Sequence, residues 1–322
     1  MLSRIKLFII IYAHINIDMK LLLTGSSGFI GQHLTPDLEK NYQLYHLKSD
    51  LLDHDAVNQE VSSIDPQIIV HLAARTEVEK SFYEQITFSE INYVGTVNLI
   101  EAAAKLRNFK NFVFASTMEV YGWQPISDDV QKNGIPSKFI AFDENTQPNP
   151  NAPYAVAKYG CEKYLEYAHR SLGLPFTALR QTNCYGRKDN DFFVTEQIIT
   201  QMIKNPNEIN LGYGEPYRNF IFIDDMMNMW HTVIQNHEKC NNGKIFTIGP
   251  DDPIKIKDYV NKISKKIHWD GKVNWNTKPA RPGEIYWLNS NNNLITETLG
   301  WRPNVSLEDG LDYTINAWKQ IL

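Results

Sequence analysis

Residues 24–31 read Thr-Gly-Ser-Ser-Gly-Phe-Ile-Gly, and this stretch determines the architecture of the N-terminal half. It follows the apolar run Lys20–Thr24 and opens an amphipathic stretch at Phe29–Lys40. Glycines between a strand and a helix allow a tight turn, close approach of the backbone to a pyrophosphate, and close helix–strand packing. The helix N-terminus then presents unpaired N–H groups to the phosphates. The pattern predicts a dinucleotide site formed by Gly25, Ser27, Gly28, Phe29, Ile30 and Gly31.

Strand-like and helix-like segments alternate after this loop. Short apolar runs typical of buried parallel strands occur at Gln43–Leu47, Ile68–Ala73, Phe112–Ala115 and Phe176–Leu179. Amphipathic stretches lie between them at Asp55–Ser63, Thr87–Leu106 and Pro153–Leu172. Alternation at this spacing predicts an α/β fold, a Rossmann-like doubly wound parallel sheet with right-handed crossovers.

The alternation becomes less regular after about Asn183. The predicted elements there are a helix at Phe193–Lys204, a strand at Glu208–Leu211, a helix from about Asp225, a strand at Lys244–Ile248, and helices at Ile256–Ile267 and Ser306–Ile321. Ser306 followed by Asp309 resembles an N-cap with an acidic first turn. We interpret residues 183–218 with 250–322 as a smaller α/β substrate-binding domain, and 19–182 with about 219–249 as the dinucleotide-binding domain. Residues 1–18 are interpreted as a dispensable extension.

Composition excludes several function classes. The 322 residues are 43% apolar and 21% charged, as expected of a globular chain with a sizeable core. A net charge of −5 leaves no basic face for nucleic acid. The three cysteines lack a C-x-x-C pair, and no two histidines have convincing metal-ligand spacing, so we expect a reducing cytoplasm and no metal. The apolar run Leu7–Ala13 is too short to span a bilayer, and no membrane partner is expected.

The end of the second predicted strand bears on the choice of cofactor. A site for NAD usually offers an acidic residue there, which accepts from the ribose 2′-hydroxyl. This chain instead has Lys48 and Ser49, and Asp50 comes only afterwards. A lysine with a serine suits a 2′-phosphate, which favours NADP slightly over NAD, although Lys48 as a solvated surface charge is an equal alternative. Asp50 and Leu51 are instead assigned to contacts with the edge of the cofactor's adenine ring.

Tyr154 and Lys158 form a candidate catalytic pair. Their i, i+4 spacing on a predicted helix places both side chains on one face. An ammonium beside a phenol stabilises the phenolate and lowers the pKa of the tyrosine towards neutrality. We therefore predict that Tyr154 is a base for a hydroxyl proton, with Lys158 lowering its pKa.

Residues 116–122, Ser-Thr-Met-Glu-Val-Tyr-Gly, follow the fourth predicted strand. If this segment is extended, Thr117 and Glu119 point the same way because the side-chain period is two. Thr117 can then hydrogen-bond an oxygen that is being oxidised, and Glu119 is free for a second proton transfer. The alternative for Glu119 is a surface acid at the end of a strand.

Together these motifs resemble the extended short-chain dehydrogenase/reductase superfamily. The resemblance runs from about Met19 to Trp318 and includes the glycine loop, His71-Leu72-Ala73-Ala74, residues 116–122, Tyr154 with Lys158, and Arg218-Asn219-Phe220. The Ser-Thr-x-Glu form is more similar to the nucleotide-sugar 4,6-dehydratases than to the 4-epimerases. The resemblance implies oxidation of the sugar at C4, loss of water across C5 and C6, and return of the hydride to C6. It also implies cofactor contacts from Leu72, Ala73, Ala74, Tyr154 and Lys158.

One departure from the dehydratase pattern affects the proton transfers. Many dehydratases have Asp where this chain has Met118, so Glu119 has to serve as both base and acid. General likeness indicates the inverting UDP-N-acetylglucosamine 4,6-dehydratase (5-epimerase) subfamily, and hence a UDP-N-acetylhexosamine with possible inversion at C5. A 4-epimerase, an NADPH-dependent nucleotide-sugar reductase and a silent dinucleotide-binding regulator stay open as alternatives. The retained Thr117, Tyr154 and Lys158 argue against the regulator.

The same resemblance assigns residues to the nucleotide sugar. Asn183, Arg218 and Arg281 are similar to the diphosphate-binding residues of the family, and arginine offers a charge-assisted fork to phosphate oxygens. Weaker assignments are Thr76 and Ser81 to the sugar, where ordinary loop polarity is an equal alternative, and Leu211 to the base. The helices near Thr87–Leu106 and Pro153–Leu172 match those of the family's dimer interface, so the resemblance implies a homodimer.

Overall fold

The computed structural model describes residues 17–126, 140–186, 190–278 and 281–322. Almost all of the predicted extension, residues 1–18, lies outside the described residues. Within the described ranges, no helix has the length and apolar content needed to cross a bilayer.

Six parallel strands form the central sheet, in the order β10-β5-β4-β3-β1-β2. Three two-stranded pairs, β6 with β9, β7 with β12 and β8 with β11, lie outside it. The strands of the described residues are β1 (Lys20–Thr24), β2 (Gln43–His46), β3 (Ile68–His71), β4 (Asn111–Thr117), β5 (Phe176–Gln181), β6 (Asn183–Tyr185), β7 (Glu208–Asn210), β8 (Tyr217–Arg218), β9 (Phe220–Phe222), β10 (Asn242–Ile248), β11 (Ile254–Lys255) and β12 (Lys272–Asn274).

The helices connect the strands and cover both faces of the sheet. In the described residues they are α1 (Phe29–Asn41), α2 (His54–Ile64), α3 (Val78–Ser81), α4 (Gln85–Ser89), α5 (Gly95–Ala103), α6 (Pro153–Leu172), α7 (Val194–Lys204), α8 (Ile223–Gln235), α9 (His237–Cys240), α10 (Ile256–Ile267), α11 (Asn293–Leu299) and α12 (Leu307–Ile321).

Strand β1 shows why the sheet is buried on both faces. Leu21 and Leu23 pack into one apolar cluster with residues of α1 and α8. Leu22, which points the other way, packs into a second cluster with residues of α2, α5 and α6. A continuous apolar run is typical of a parallel strand covered on both sides. The predicted Rossmann-like doubly wound sheet is confirmed.

A third apolar cluster lies beside the sheet and includes Ile209, Phe220, Tyr259 and Trp318. It packs α7, α10 and α12 around the short strands β7 and β9. The predicted N-cap of the last helix is confirmed, since the Asp309 amide donates to Ser306 Oγ at 3.1 Å.

The predicted helix at Thr87–Leu106 is interrupted. A π-helical segment, Glu90–Val94, separates α4 from α5. Asn92 within it is fully buried and clamps Arg75, accepting from the Arg75 amide at 2.8 Å and donating to the Arg75 carbonyl at 2.9 Å. The irregular turn therefore holds the loop that follows β3, as π-segments often do near functional sites.

Candidate active site

The glycine loop lies at the carboxyl end of β1, where the sheet order reverses between β1 and β3. Gly25 has a φ of +73°, and a Cβ there would come within 2.6 Å of the Ala73 nitrogen. A Cβ on Gly31 would come within 2.2 Å of the Gly25 carbonyl oxygen. Among the described residues, no side chain caps the start of α1 at Gly28, so its first amides can bind an anion. The loop fits a pyrophosphate at the position that doubly wound sheets use for nucleotides.

His71 ties the glycine loop to α5. Its Nδ1 is 2.7 Å from Thr24 Oγ1 and its Nε2 is 2.9 Å from Thr96 Oγ1. Burial, with a further contribution from the Lys158 charge, lowers the pKa of His71 to about 3, so the ring is neutral. The Ala73 amide donates to Thr24 Oγ1 at 3.2 Å, which holds the segment after β3 beside the loop.

The segment after β2 is bound by a carboxylate that sequence reasoning missed. Glu60, from α2, accepts from the Lys48 amide at 3.0 Å, from the Ser49 amide at 2.8 Å and from Ser49 Oγ at 2.6 Å. Asp50 Oδ1 accepts from the Leu52 amide at 3.0 Å, and the Leu51 carbonyl accepts from Asn98 at 2.8 Å. The predicted preference for NADP rested on Lys48 and Ser49 and did not include this acid.

Thr117 and Glu119 lie at the carboxyl end of β4, but the segment is not extended as predicted. Met118–Tyr121 form a 3₁₀ turn, in which Thr117 Oγ1 accepts from the Glu119 amide at 3.2 Å. Glu119 faces the cleft through this turn rather than through strand alternation. Met118 is buried in an apolar cluster with Val120, so its side chain packs in the core.

Tyr154 is a buried residue in the first turn of α6 and interacts with both Thr117 and Glu119. Burial and the negative charge of Glu119 raise the pKa of its phenol, while a hydrogen bond with the Thr117 side chain acts in the opposite direction. The predicted lowering of this pKa by Lys158 is therefore wrong for the structure described here. The Lys158 ammonium donates to the Ala115 carbonyl at 2.9 Å, and burial lowers its own pKa to about 8.

A buried network behind α6 was also absent from the sequence prediction. Glu162, one turn beyond Lys158, pairs with Arg180 of β5, with Arg180 Nη2 2.7 Å from Glu162 Oε2. Ser116 Oγ donates to the same carboxylate, and Arg180 Nη1 donates to the Tyr121 hydroxyl at 3.1 Å. The network joins α6 to the ends of β4 and β5.

A cleft beside these residues is lined by Glu119 and by the two predicted arginines, Arg218 and Arg281. Glu284 lies between the arginines, with Arg218 Nη2 3.0 Å from its Oε1 and Arg281 Nε 3.3 Å from its Oε2. Burial lowers the pKa of Arg218, and the Glu284 carboxylate opposes that shift.

Asn151 lines the same cleft. Its Nδ2 donates to the Gly283 carbonyl at 2.6 Å. Its Oδ1 is buried and has no hydrogen-bond partner among the described residues. A buried amide oxygen without a partner is unfavourable, which makes Asn151 a candidate acceptor for a ligand donor. No motif in the sequence had pointed to it.

The remaining predicted substrate residues lie outside the described lining of the cleft. Ser81 is fully buried and its hydroxyl donates to the Val78 carbonyl at 2.6 Å, so the structure does not support its sugar contact. Thr76 and Asn183 are exposed on the loop after β3 and at the start of β6. Leu211 packs in the third apolar cluster. The roles of Thr76, Asn183 and Leu211 stay predictions.

Comparison with known proteins agrees with this geometry. The sequence model described as "NAD dependent epimerase/dehydratase family" matches residues 21–249, from β1 through β10. The chain belongs to this family. The match includes the glycine loop, the 3₁₀ turn with Glu119 and the helix that carries Tyr154 and Lys158.

Individual members of the family include both dehydratases and epimerases. A Methanocaldococcus jannaschii protein provisionally named UDP-glucose 4-epimerase is 28% identical, over 93% of this chain and 98% of its own length. The dTDP-D-glucose 4,6-dehydratase of Dictyostelium discoideum is 29% identical, over 76% of this chain and 61% of its own. The crystal structure of Thermotoga maritima UDP-glucose 4-epimerase with UDP-glucose has a TM-score of 0.81 at 27% identity, and the match covers 94% of this chain and 99% of that one.

Proposed function

We propose that the chain is a nucleotide-sugar 4,6-dehydratase that acts on a UDP-N-acetylhexosamine such as UDP-N-acetylglucosamine. The observation that carries the proposal is the grouping of a phenol, a hydroxyl and a carboxylate, of which the carboxylate lines the cleft. Tyr154 interacts with both Thr117 and Glu119, and Glu119 lines the cleft with Arg218 and Arg281. The family membership supports a nicotinamide dinucleotide cofactor, and the glycine loop with Lys158 would hold it.

When bound, the nicotinamide ring supplies a reversible hydride acceptor. The chain's own residues move the protons: Thr117 hydrogen-bonds O4 of the sugar, and Tyr154 takes the O4 proton. Glu119 removes the proton from C5, which the 4-ketone has made acidic, and passes it to the departing C6 hydroxyl as water forms. C6 then receives the hydride that left C4, C5 takes up a proton from solvent, and Tyr154 releases the O4 proton to solvent. Because C4 ends as a ketone and C6 as a methyl group, the reaction is redox-neutral overall and releases one water.

The raised pKa of Tyr154 adds a requirement to this scheme. Its phenol keeps its proton at neutral pH in the structure described here, so its pKa has to fall before it can act as a base. Lys158 is the cation that the chain itself places one turn further along α6. Its pKa of about 8 leaves the ammonium mostly charged at neutral pH.

The arginines supply the electrostatic side of substrate binding. Arg218, which is buried, and Arg281 would bind the diphosphate of the substrate. The diphosphate would compete for both arginines with the Glu284 carboxylate. Cofactor use and three widely spaced cysteines without a C-x-x-C pair favour a cytoplasmic location. The proposal includes a variant in which the configuration at C5 is inverted. In that variant C5 would receive its proton on the ring face opposite to the one from which Glu119 removed it.

A 4-epimerase is the second candidate, because the Thermotoga maritima structure is that of a UDP-glucose 4-epimerase. Such an enzyme would use Thr117 and Tyr154 in the same way and would not need Glu119 as a base. The two reactions differ in mass, since only the dehydratase loses water.

A single assay tests the proposal. The purified protein is incubated with individual UDP-, dTDP-, GDP- and CDP-sugars, without added cofactor, and the product mass is followed. We expect one sugar to lose one water, and Tyr154→Phe to abolish that loss. Unchanged mass with altered stereochemistry would identify an epimerase, and turnover only with added NADPH would identify a reductase.

A further inference from the structure

Glu60 lies at the position that distinguishes the two nicotinamide dinucleotides. In the sheet, β2 pairs with β1, and the pairing continues to Leu47, whose amide donates to the Leu23 carbonyl at 3.2 Å. Lys48 and Ser49 follow directly. In doubly wound sheets, the residues after the second strand meet the adenosine ribose, where NADP carries a 2′-phosphate and NAD a hydroxyl.

The segment that follows β2 offers three donors that could bind a phosphate, namely the Lys48 amide, the Ser49 amide and Ser49 Oγ. All three donate to the carboxylate of Glu60, at 3.0 Å, 2.8 Å and 2.6 Å. An anionic side chain thus already occupies the donors that a 2′-phosphate would need.

From this geometry we infer that Glu60 is the residue that selects NAD over NADP. Its charge repels a 2′-phosphate, because like charges that lie close together near a protein surface repel each other. Its Oε1 accepts only from the Lys48 amide among the described residues, so this oxygen can also accept from a ribose hydroxyl. The inference rests on the dinucleotide cofactor of the proposed function and not on the sugar chemistry.

The hydrogen bonds keep Glu60 charged. Burial alone would raise the pKa of its carboxyl group, but the hydrogen bonds from Ser49 and Lys48 lower that pKa overall, with the Lys48 charge as a smaller contribution. Lys48 is exposed, so solvent screens its attraction for a phosphate. The serine and lysine that indicated NADP from the sequence therefore hold an acid in place instead.

Two measurements test the inference on the full-length protein. The dinucleotide that copurifies is released by denaturation and identified by mass. The stripped protein is then titrated with NADH and with NADPH, and binding is followed by the fluorescence of the reduced nicotinamide. We expect wild type to bind NADH about tenfold or more tightly than NADPH. Glu60→Gln should lower that ratio by about tenfold, mainly through tighter binding of NADPH.

Asp55→Asn is the matched control, because it removes the same charge from an exposed position on α2. Its NADH to NADPH ratio should equal that of wild type, and thermal unfolding confirms that both variants fold. Equal or tighter binding of NADPH by wild type would overturn the inference, as would an unchanged ratio in Glu60→Gln. A wild-type protein that binds neither dinucleotide would contradict both this inference and the proposed function. A wild-type protein that prefers NADH but turns over no nucleotide sugar would contradict only the proposed function.

Discussion

Among individual side chains, Glu119 has two separable effects. It lines the cleft as a candidate base, and its charge raises the pKa of Tyr154. Glu119→Gln should therefore keep dinucleotide binding and decrease the dehydration rate by about 10²–10⁴-fold. The same change should move the Tyr154-dependent limb of the pH profile for C4 oxidation to lower pH, because the charge that raises this pKa has been removed.

Product mass and uptake of deuterium at C5 from heavy water measure the first effect, and the pH dependence of C4 oxidation measures the second. Glu297→Gln, which neutralises an exposed carboxylate on α11, is the control. Dehydration at the wild-type rate in Glu119→Gln would remove this residue from the mechanism.

Lys158 is a buried cation whose proposed role beside Tyr154 conflicts with the stability of the fold. Burial lowers its pKa from 10.5 to about 8, so between these values the unfolded chain binds a proton that the folded chain does not. The free energy of unfolding of wild type, relative to a variant without this charge, therefore rises with pH across this window. Below the window the folded state bears the full cost of the buried charge, which is about 3 kcal/mol.

Lys158→Met should therefore inactivate the enzyme and stabilise the cofactor-free fold at pH 7 by up to about 3 kcal/mol. The advantage should shrink as the pH rises from about 8 towards 10.5. Urea unfolding at several pH values measures it, and Lys239→Met, at an exposed position, reports the loss of a positive charge alone. A stability difference that does not change with pH would contradict the prediction.

Among the secondary-structure elements, α6 is fixed against β4 and β5 by the Glu162–Arg180 pair. Both side chains are almost completely buried, with 2.7 Å between Arg180 Nη2 and Glu162 Oε2. Removing one partner of a buried ion pair leaves an uncompensated charge, which typically costs about 3–5 kcal/mol. Glu162→Gln should lower the free energy of unfolding by that amount and should also reduce activity, because Ser116 and Arg180 both lose their shared carboxylate acceptor.

The double replacement Glu162→Leu with Arg180→Met should recover most of the stability, since it leaves no charge of this pair buried. Activity should stay low, because Tyr121 would lose the hydrogen bond from Arg180. Urea unfolding and the product-mass assay measure the two properties separately. A single Glu162→Gln variant as stable as wild type would show that the ion pair contributes nothing to the fold.

The same elements show how far local sequence predicts the structure. Apolar runs predicted β1 to β5, and the i, i+4 spacing predicted the helix that carries Tyr154 and Lys158. The ends of strands were less accurate, because pairing rather than composition sets them: β4 continues to Thr117, which pairs with Gln181 of β5. The turn at Glu119 was missed because a serine or threonine hydroxyl can cap a 3₁₀ turn without changing the apolar pattern.

The acids that pair with the predicted residues were not identified from the sequence. Glu284 is 66 residues from Arg218, and Glu60 is 12 residues from Lys48 on another element. A carboxylate on an ordinary amphipathic helix or loop has no local feature that distinguishes it from a solvated surface acid. Only the fold shows that these two acids face the predicted cofactor and substrate residues.

Over the surface of the protein, exposed apolar side chains gather on adjoining helices. Ile86 of α4 is 74% exposed, and Val156 on the outer face of α6 is 55% exposed. Tyr83, beside α4, and Tyr167 of α6 are also exposed. The helices α4 and α6 pack against each other, so these side chains belong to one neighbourhood of the surface. An exposed group of large apolar side chains is typical of a protein–protein interface.

We predict that this surface forms a homodimer, as the resemblance to the extended short-chain dehydrogenases implies. Light scattering should give twice the mass of one chain, and Ile86→Asp with Val156→Asp should give one chain mass, because each charge would be buried without a partner in the interface. Ile321→Asp, which adds a charge at another exposed apolar position, should stay dimeric. Val156 lies two residues from both Tyr154 and Lys158, so a dimer would cover the outer side of α6. We therefore expect the monomeric variant to bind the dinucleotide but to turn over the sugar more slowly than wild type. A wild-type protein that is monomeric at micromolar concentration would contradict both parts of this prediction.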